Sequence, residues 1–420
     1  MKKTIVILGG GLAGLTAGEI LSKYFNVKIF EKESYLGGLA ANFNHKGETI
    51  PKYYHHIIKS NKITQIYLQR FSKEVKLNWQ RIKVSIGINK KINPINSFFG
   101  LLKFKYLNLY EKIRFGLFGA YTLFILNPKK ISENLDAQKW LDKYAGKVVT
   151  QKIFFHLYSR NKFGVSLNKI SAKQFAHRLY EKEIQDFFSF PEKGYQCIID
   201  GLEREIKKNK GKIKINSKIQ KINLNGKYLI NSGKKINYDI LINTIPFEIF
   251  TNISIGIPKP FKEQLSKIKY CPAVSVCFGS ENFLEKGVYW TNFFNEKIHI
   301  LMQHSVLSDN YKDKINWILR YGGSEEDLNL SEEIIKKEYL QVIKKYYPLS
   351  KIKWAKVFKT KYAEPIYDIK YPKYMPPYKT PLRDVYFAGI QLTYPQIRNM
   401  NVALESGIKV TNIILKDFFK

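Results

Sequence analysis

The chain alternates between short apolar runs closed by glycine and longer stretches with helical spacing. The first run, Thr4-Ile5-Val6-Ile7-Leu8, meets Gly9-Gly10-Gly11-Leu12-Ala13-Gly14. A helical stretch follows, and then a second apolar run, Val27-Lys28-Ile29-Phe30, which ends on Glu31. Asp239-Ile240-Leu241-Ile242-Asn243-Thr244 and Val385-Tyr386-Phe387-Ala388 have the same character and predict buried strands. Residues from about 61 to 190 read as mostly helical by periodicity. After Gly194-Tyr195 the spacing of Ile198, Leu202 and Ile206 predicts a helix, followed by strands at 212–215 and 218–223 and a hairpin near 224–236. Residues 250–355 mix strands, such as Val274-Ser275-Val276-Cys277-Phe278, with a helix around 331–346. The last helix is expected from about Asn401.

The opening is a strand–helix–strand unit carrying G-x-G-x-x-G, with an acidic residue 22 positions after its first glycine. Gly9 allows the tight turn, Gly11 lets backbone approach a pyrophosphate, and Gly14 lets the helix pack closely. The helix N-terminus offers free N–H groups and a positive dipole end to the phosphates, and Glu31 can accept from ribose hydroxyls. A signal peptide is the competing reading of Met1-Lys2-Lys3 and the apolar run. Three consecutive glycines break that run, no cleavage site follows, and the second strand with its acid stays unexplained, so a cytoplasmic protein is expected. The pattern predicts an α/β fold: a discontinuous Rossmann-like domain (1–60, 191–249 and 356–420) with an inserted α+β substrate domain (61–190 and 250–355).

Composition changes this picture little. With 420 residues, 45% hydrophobic and 15% aromatic, the chain is a folded protein of enzyme size. Cys197, Cys271 and Cys277 have no metal spacing and read as reduced thiols, and the seven histidines cluster only at His55-His56, so no metal is expected. The formal charge is +35, yet only nine of the 70 basic residues are arginine and the lysines are spread throughout. That argues for a compositional bias over a nucleic-acid site. The uncharged stretch Phe115–Leu126 is too short to span a bilayer. Flanked by Lys103, Lys105, Lys112, Lys129 and Lys130, the segment 98–126 is either a peripheral membrane contact or a buried helix of the inserted domain. The sequence leaves the oligomeric state open.

The order of the opening unit, Gly37-Gly38, Gly194-Tyr195, the strand at Ile219, Asp239–Pro246, and the closing Tyr386-Phe387-Ala388-Gly389 with Ala403-Leu404-Glu405-Ser406-Gly407 resembles the flavin-containing amine oxidase superfamily. That superfamily includes protoporphyrinogen oxidases, phytoene desaturases and UDP-galactopyranose mutases. The resemblance implies FAD. By it, Gly9, Gly11, Ala13 and Gly14 would hold the pyrophosphate and Glu31 the adenosine ribose. Gly37, Gly38 and Leu39 would line the middle of the cofactor, and Ile219 would meet adenine. Gly389 and the turn Asn399-Met400-Asn401-Val402 would approach the pyrophosphate and the isoalloxazine. Two departures stand out: Ile390 replaces a residue that is often acidic, and Leu39 follows the glycine pair where arginine is common.

A flavin carries the redox chemistry, so no triad or metal is required. The expected activity is an FAD-dependent oxidoreductase of oxidase or desaturase type, taking hydride from an apolar, lipid-linked or sugar-type substrate to flavin N5. No second G-x-G-x-x-G is present, which favours oxygen, a quinone or another carrier as acceptor. His56, Arg398 and Tyr394 are the catalytic candidates. Arg160, Arg320 and Tyr362 are the substrate candidates, the arginines because a guanidinium clamps phosphate or carboxylate in a bidentate manner; a structural ion pair is the alternative for each. The other activity class is a non-redox isomerase of the mutase type. His56-Ile57, Gly389, Tyr394 and Met400 resemble that family's motifs, although the closing motif's arginine is missing at Ile390 and the tyrosine-to-methionine spacing differs by one.

Overall fold

The computed structural model describes residues 2–72, 75–181, 187–192 and 194–419. Its frame is a five-stranded parallel sheet in the order Lys212–Lys214, Asn26–Phe30, Thr4–Leu8, Ile240–Asn243, Val385–Phe387. Ile5 pairs with both Val27 and Ile240, so the N-terminal strand lies at the centre. Central parallel strands are covered on both faces, which is why these segments read as unbroken apolar runs. Ile240–Asn243 is buried at every position.

The helix Leu12–Leu21 covers one face of this sheet, and the last helix, Met400–Phe418, packs on it. Close approach here depends on glycine. A Cβ on Gly14 would lie 2.1 Å from Gly9 O, and one on Gly407 would lie 2.6 Å from Ala13 O and 2.8 Å from Thr16 Cβ. Ser406 Oγ, beside Gly407, accepts from the Gly389 N–H at 2.8 Å, which ties the closing loop to the same helix.

A seven-stranded sheet forms the second layer, in the order Ile352–Pro365, Tyr270–Ser280, Lys314–Arg320, Ile300–Gln303, Val288–Phe293, Lys83–Ile88, Lys91–Pro94. Its pairings are antiparallel except that of Val288–Phe293 with Lys83–Ile88. The expectation that 61–190 is mostly helical needs correction at 80–94. There, period-2 alternation in Lys83–Ile88 makes a strand that completes this sheet. Helices Phe98–Lys103, Leu109–Phe124, Ala137–Tyr144 and Ala172–Tyr180, with a wide helical segment Thr150–Phe163, fill the rest of the insertion. The strand Ile352–Pro365 runs through the boundary expected at 355/356 and pairs along its length with Tyr270–Ser280. One apolar core joins the layers, running from Ile5, Leu15 and Ile242 to Cys277, Tyr289 and Trp317.

The glycine contacts predict opposite effects at two helical positions. Gly407→Ala should destabilise the fold by about 1–3 kcal/mol, because its methyl group must displace backbone of the first helix. Gly119→Ala meets open space within a helix and should stabilise by up to about 1 kcal/mol. Denaturant midpoints of the two variants check the pair, and a neutral Gly407→Ala would overturn the packing argument.

Candidate functional site

The N-terminal glycine turn builds a backbone cradle. Gly9 has φ +102°, a conformation glycine adopts without strain, and its N–H donates to Phe30 O at 2.9 Å. A Cβ on Gly11 would meet nothing within 4 Å, so its outer face is open. Gly11 also precedes Leu12–Leu21 without a side-chain cap. The first N–H groups of that helix therefore face the same opening, with the positive end of the helix dipole. The Gly37 N–H donates to Gly10 O at 2.8 Å, and Gly37 (φ +101°) and Gly38 (φ +58°) fold against Gly11.

Glu31 is buried at the end of the second strand. Its Oε2 accepts from the Gly10 N–H at 2.7 Å and its Oε1 from the Glu33 N–H at 2.9 Å. Its carbonyl accepts from the Ser217 N–H at 2.7 Å, which brings the chain leading to Ile219 alongside it. Ile219 is buried at the start of its strand. At the other end of the cradle, Asn399 caps Met400–Phe418 by accepting from the Val402 N–H at 3.0 Å. Asn401 Oδ1 accepts from the Thr64 N–H at 3.1 Å, which fixes this turn to the helix Lys62–Phe71.

Beside the cradle lies a group of histidines. His55 Nε2–H donates to Leu39 O at 2.8 Å, and His56 Nδ1 lies 3.0 Å from the Tyr289 hydroxyl. Burial lowers the His55 pKa to about 4, with the Arg398 charge acting in the same direction. Burial, then the Lys162 charge, lowers that of His56 to about 3. Both rings are neutral at pH 7. His304 is fully buried among Phe190, Tyr311 and Trp317, and burial lowers its pKa to about 3.

A charged cluster faces the histidines. Glu364, near the end of Ile352–Pro365, has a side chain only 2% exposed. Its Oε1 accepts from Arg178 at 3.0 Å, and its Oε2 lies 3.0 Å from Lys162 Nζ and 3.3 Å from Arg398 Nε. Burial pushes the Glu364 pKa up, but Lys162, Arg398 and Arg178 outweigh it and hold the carboxyl at about 2. Arg398 also donates to the Tyr321 hydroxyl at 2.6 Å, and Lys162 Nζ sits 4.3 Å from the centre of the Tyr321 ring. Burial works against the charge on Arg398, but Tyr321 and Glu364 keep it firmly protonated.

Of the candidates read from sequence, the structure brings together His56 and Arg398. It engages Arg320, Tyr394 and Tyr362 with other partners. Arg320 donates to the buried Asp327 at 2.9 Å, in a structural ion pair shared with Lys297 and the Tyr339 hydroxyl. The Tyr394 hydroxyl is engaged by Ser171 at 2.8 Å and Glu133 at 3.0 Å, within a stack containing Tyr367 and Tyr371. Tyr362 packs edge-on to Tyr270 beside Lys361, which is paired with Glu248. Arg160 falls in the segment Thr150–Phe163, and its side chain lies outside the described residues. Sequence reasoning gave no role to Lys162, Arg178 or Glu364. The available signal was an acidic residue inside an otherwise apolar strand end, Tyr362-Ala363-Glu364-Pro365, in a chain where arginine is scarce.

His304 predicts a pH dependence of stability. Its folded pKa of about 3 lies below the ordinary 6.5, so between these values the unfolded chain takes a proton that the folded chain refuses. The contribution is fully present above pH 6.5 and falls with pH; about 2 kcal/mol is gone by pH 5. Urea unfolding of wild type and His304→Phe between pH 8 and pH 5 should show a shallower loss in the variant, by about one proton. Identical slopes would refute it.

The model of the family described as flavin containing amine oxidoreductase matches residues 12–415. A 15-cis-phytoene desaturase from an Oncidium hybrid cultivar is 21% identical over 465 residues, covering 99% of this chain and 78% of that protein. Among solved structures, reduced UDP-galactopyranose mutase aligns with a TM-score of 0.79 at 14% identity, covering 100% of this chain and 96% of that one. Putrescine oxidase bound to putrescine aligns with a TM-score of 0.74 at 12% identity, covering 99% of each chain. The chain belongs to the flavin-containing amine oxidoreductase family and is an FAD-dependent oxidoreductase.

Proposed function

We propose that the protein oxidises an apolar or lipid-linked small molecule taken from an anionic membrane surface. When bound, FAD supplies the two-electron chemistry by accepting hydride from a substrate C–H bond. The carrying observation is the cradle. Gly11, Ala13 and Gly14 offer backbone N–H groups where the pyrophosphate belongs, Gly9 makes the turn with its own N–H spent on Phe30 O, and the open face of Gly11 leaves room for the phosphates. Glu31 is fixed by two backbone donors with its carboxylate beside the turn, as an acceptor for ribose hydroxyls must be. Ile219 lies at the adenosine end. Gly37, Gly38 and Leu39 line the middle, and Gly389 with Met400, Asn401 and Val402 closes the other end. There the start of the last helix favours negative charge on the reduced ring. In this reading residues 1–60, 191–249 and 356–420 hold the cofactor, and 61–190 with 250–355 select the substrate.

The chain's own residues set the conditions for transfer. His56, neutral and oriented by Tyr289, shapes the pocket without adding charge. Tyr289, Phe188 and Tyr54 surround it with aromatic surface and exclude water. The mutase-type reading is supported by the structural likeness to reduced UDP-galactopyranose mutase, and Ile390 in place of an arginine counts against it.

Supply from a membrane rests on the helices Phe98–Lys103 and Leu109–Phe124. Phe98, Phe99, Leu109, Tyr110, Leu117, Phe124 and Ile125 are all more than half exposed, Phe124 by 84%. Each large apolar side chain moved into lipid contributes about 1.5–3 kcal/mol, and each adjacent lysine about 1 kcal/mol at an anionic surface. Among the described residues no helix is long and apolar enough to cross a membrane, so the contact is peripheral. Phe118 turns inward onto Trp140 and Phe154 and belongs to the core.

Purified protein should show a flavin absorption band, and an apolar donor added without oxygen should bleach it. Turnover of a nucleotide sugar only after prior reduction, with no net redox change, would replace this reading with the isomerase. Wild type should float with phosphatidylserine-containing vesicles. A Phe99→Asp/Leu117→Asp/Phe124→Asp variant should stay in the soluble fraction at unchanged thermal stability, and equal flotation of the two would sink the membrane proposal.

A further inference from the structure

We propose that Lys162 and Arg398, held by the single carboxylate of Glu364, recognise an anionic group on the substrate. The inference deepens the oxidoreductase reading and rests on it. Lys162 and Arg398 approach the same oxygen of Glu364, at 3.0 and 3.3 Å, while the other oxygen accepts from Arg178. They also share one aromatic partner. Lys162 stands over the Tyr321 ring, and Arg398 donates to the Tyr321 hydroxyl. A phenol and a ring face stabilise a cation but do not neutralise it. Among the described residues, one carboxylate oxygen is thus set against two cations. In a buried site such a surplus is costly without a second anion.

The cluster is closed on its anionic side and accessible on its cationic side. The Glu364 side chain is 2% exposed, against 11% for Lys162 and 16% for Arg398. The accessible surface therefore belongs to the cations. The Tyr321 hydroxyl donates to that of Tyr54 at 3.4 Å, and the Tyr54 ring stacks 6.2 Å from that of His56, which sets the cluster beside the histidines. His55 is bonded to the Leu39 carbonyl, and the last helix begins at Met400, two residues beyond Arg398. A group bound there lies next to the cofactor cradle and touches a planar guanidinium and an ammonium. That pair suits a phosphate or carboxylate: the guanidinium offers a fork and the ammonium a point charge. The substrate would accordingly be amphiphilic, with an apolar body and an anionic group that fixes its orientation. The family assignment does not supply this. It depends on residues 162, 364 and 398, drawn from three distant parts of the chain.

Calorimetric titration of the holoenzyme with inorganic pyrophosphate, and separately with octanoate, tests the proposal and distinguishes a phosphate from a carboxylate. One of the two should bind with one-to-one stoichiometry and shift the visible flavin band. Lys162→Met should weaken that binding at least tenfold at unchanged flavin content. Should that variant fail to fold, the wild-type thermal midpoint must rise with the anion and not with chloride at equal ionic strength. Absence of binding by both anions, equal binding by Lys162→Met (an adventitious ion only), or binding without a flavin shift would overturn the site. A protein that binds the anion through Lys162 but carries no flavin would refute the oxidoreductase reading and leave the anion site standing.

Discussion

The first helix can lie against the first strand only because no side chain stands between them. With 2.1 Å between a Cβ on Gly14 and the Gly9 carbonyl, any other residue would push the helix away. That contact sets the height of the helix N-terminus over the glycine turn, and so the direction in which its free N–H groups point. The same helix then receives the last helix at Gly407, where backbone again meets backbone. Moving the first helix outward would shift the Met400 turn, and Arg398 with it. The position of Arg398 is thus tied to a steric condition near the N-terminus, through one helix and two glycines.

The parts of the molecule legible in sequence are those whose physics is local. Glycines at fixed offsets, an apolar run and a terminal acid each constrain their own few residues, so the cradle and Glu31 were readable before any fold was known. The parallel strands at Ile240–Asn243 and Val385–Phe387 were readable because burial on both faces leaves no polar alternation. Lys83–Ile88 was lost among helical neighbours because six residues give periodicity little to count; its hairpin partner Lys91–Pro94 is shorter still, and its other partner, Val288–Phe293, lies some 200 residues away. Arginine scarcity pointed to three positions with equal force. Only tertiary contact separates Arg398, paired with Glu364 and Tyr321, from Arg320, locked to Asp327. Tyr394 and Tyr362 show the same limit, since an aromatic ring in a loop or strand carries no mark of whether it will line a cavity or a core.

The neutral histidines and the cationic cluster form one electrostatic arrangement. Burial alone disfavours imidazolium at His55 and His56, and the adjacent Lys162 and Arg398 reinforce it. Glu364 is held ionised by the same cations. With the histidine pKa values at about 4 and 3 and that of Glu364 at about 2, none of these groups changes charge near neutrality. The cluster therefore keeps a constant cationic balance across the physiological range. A flavin held in the cradle would gain from that constancy, because its electron affinity would depend on the fixed charges around it. Unprotonated histidines beside two cations would keep the positive potential without offering an acidic proton to a molecule bound there.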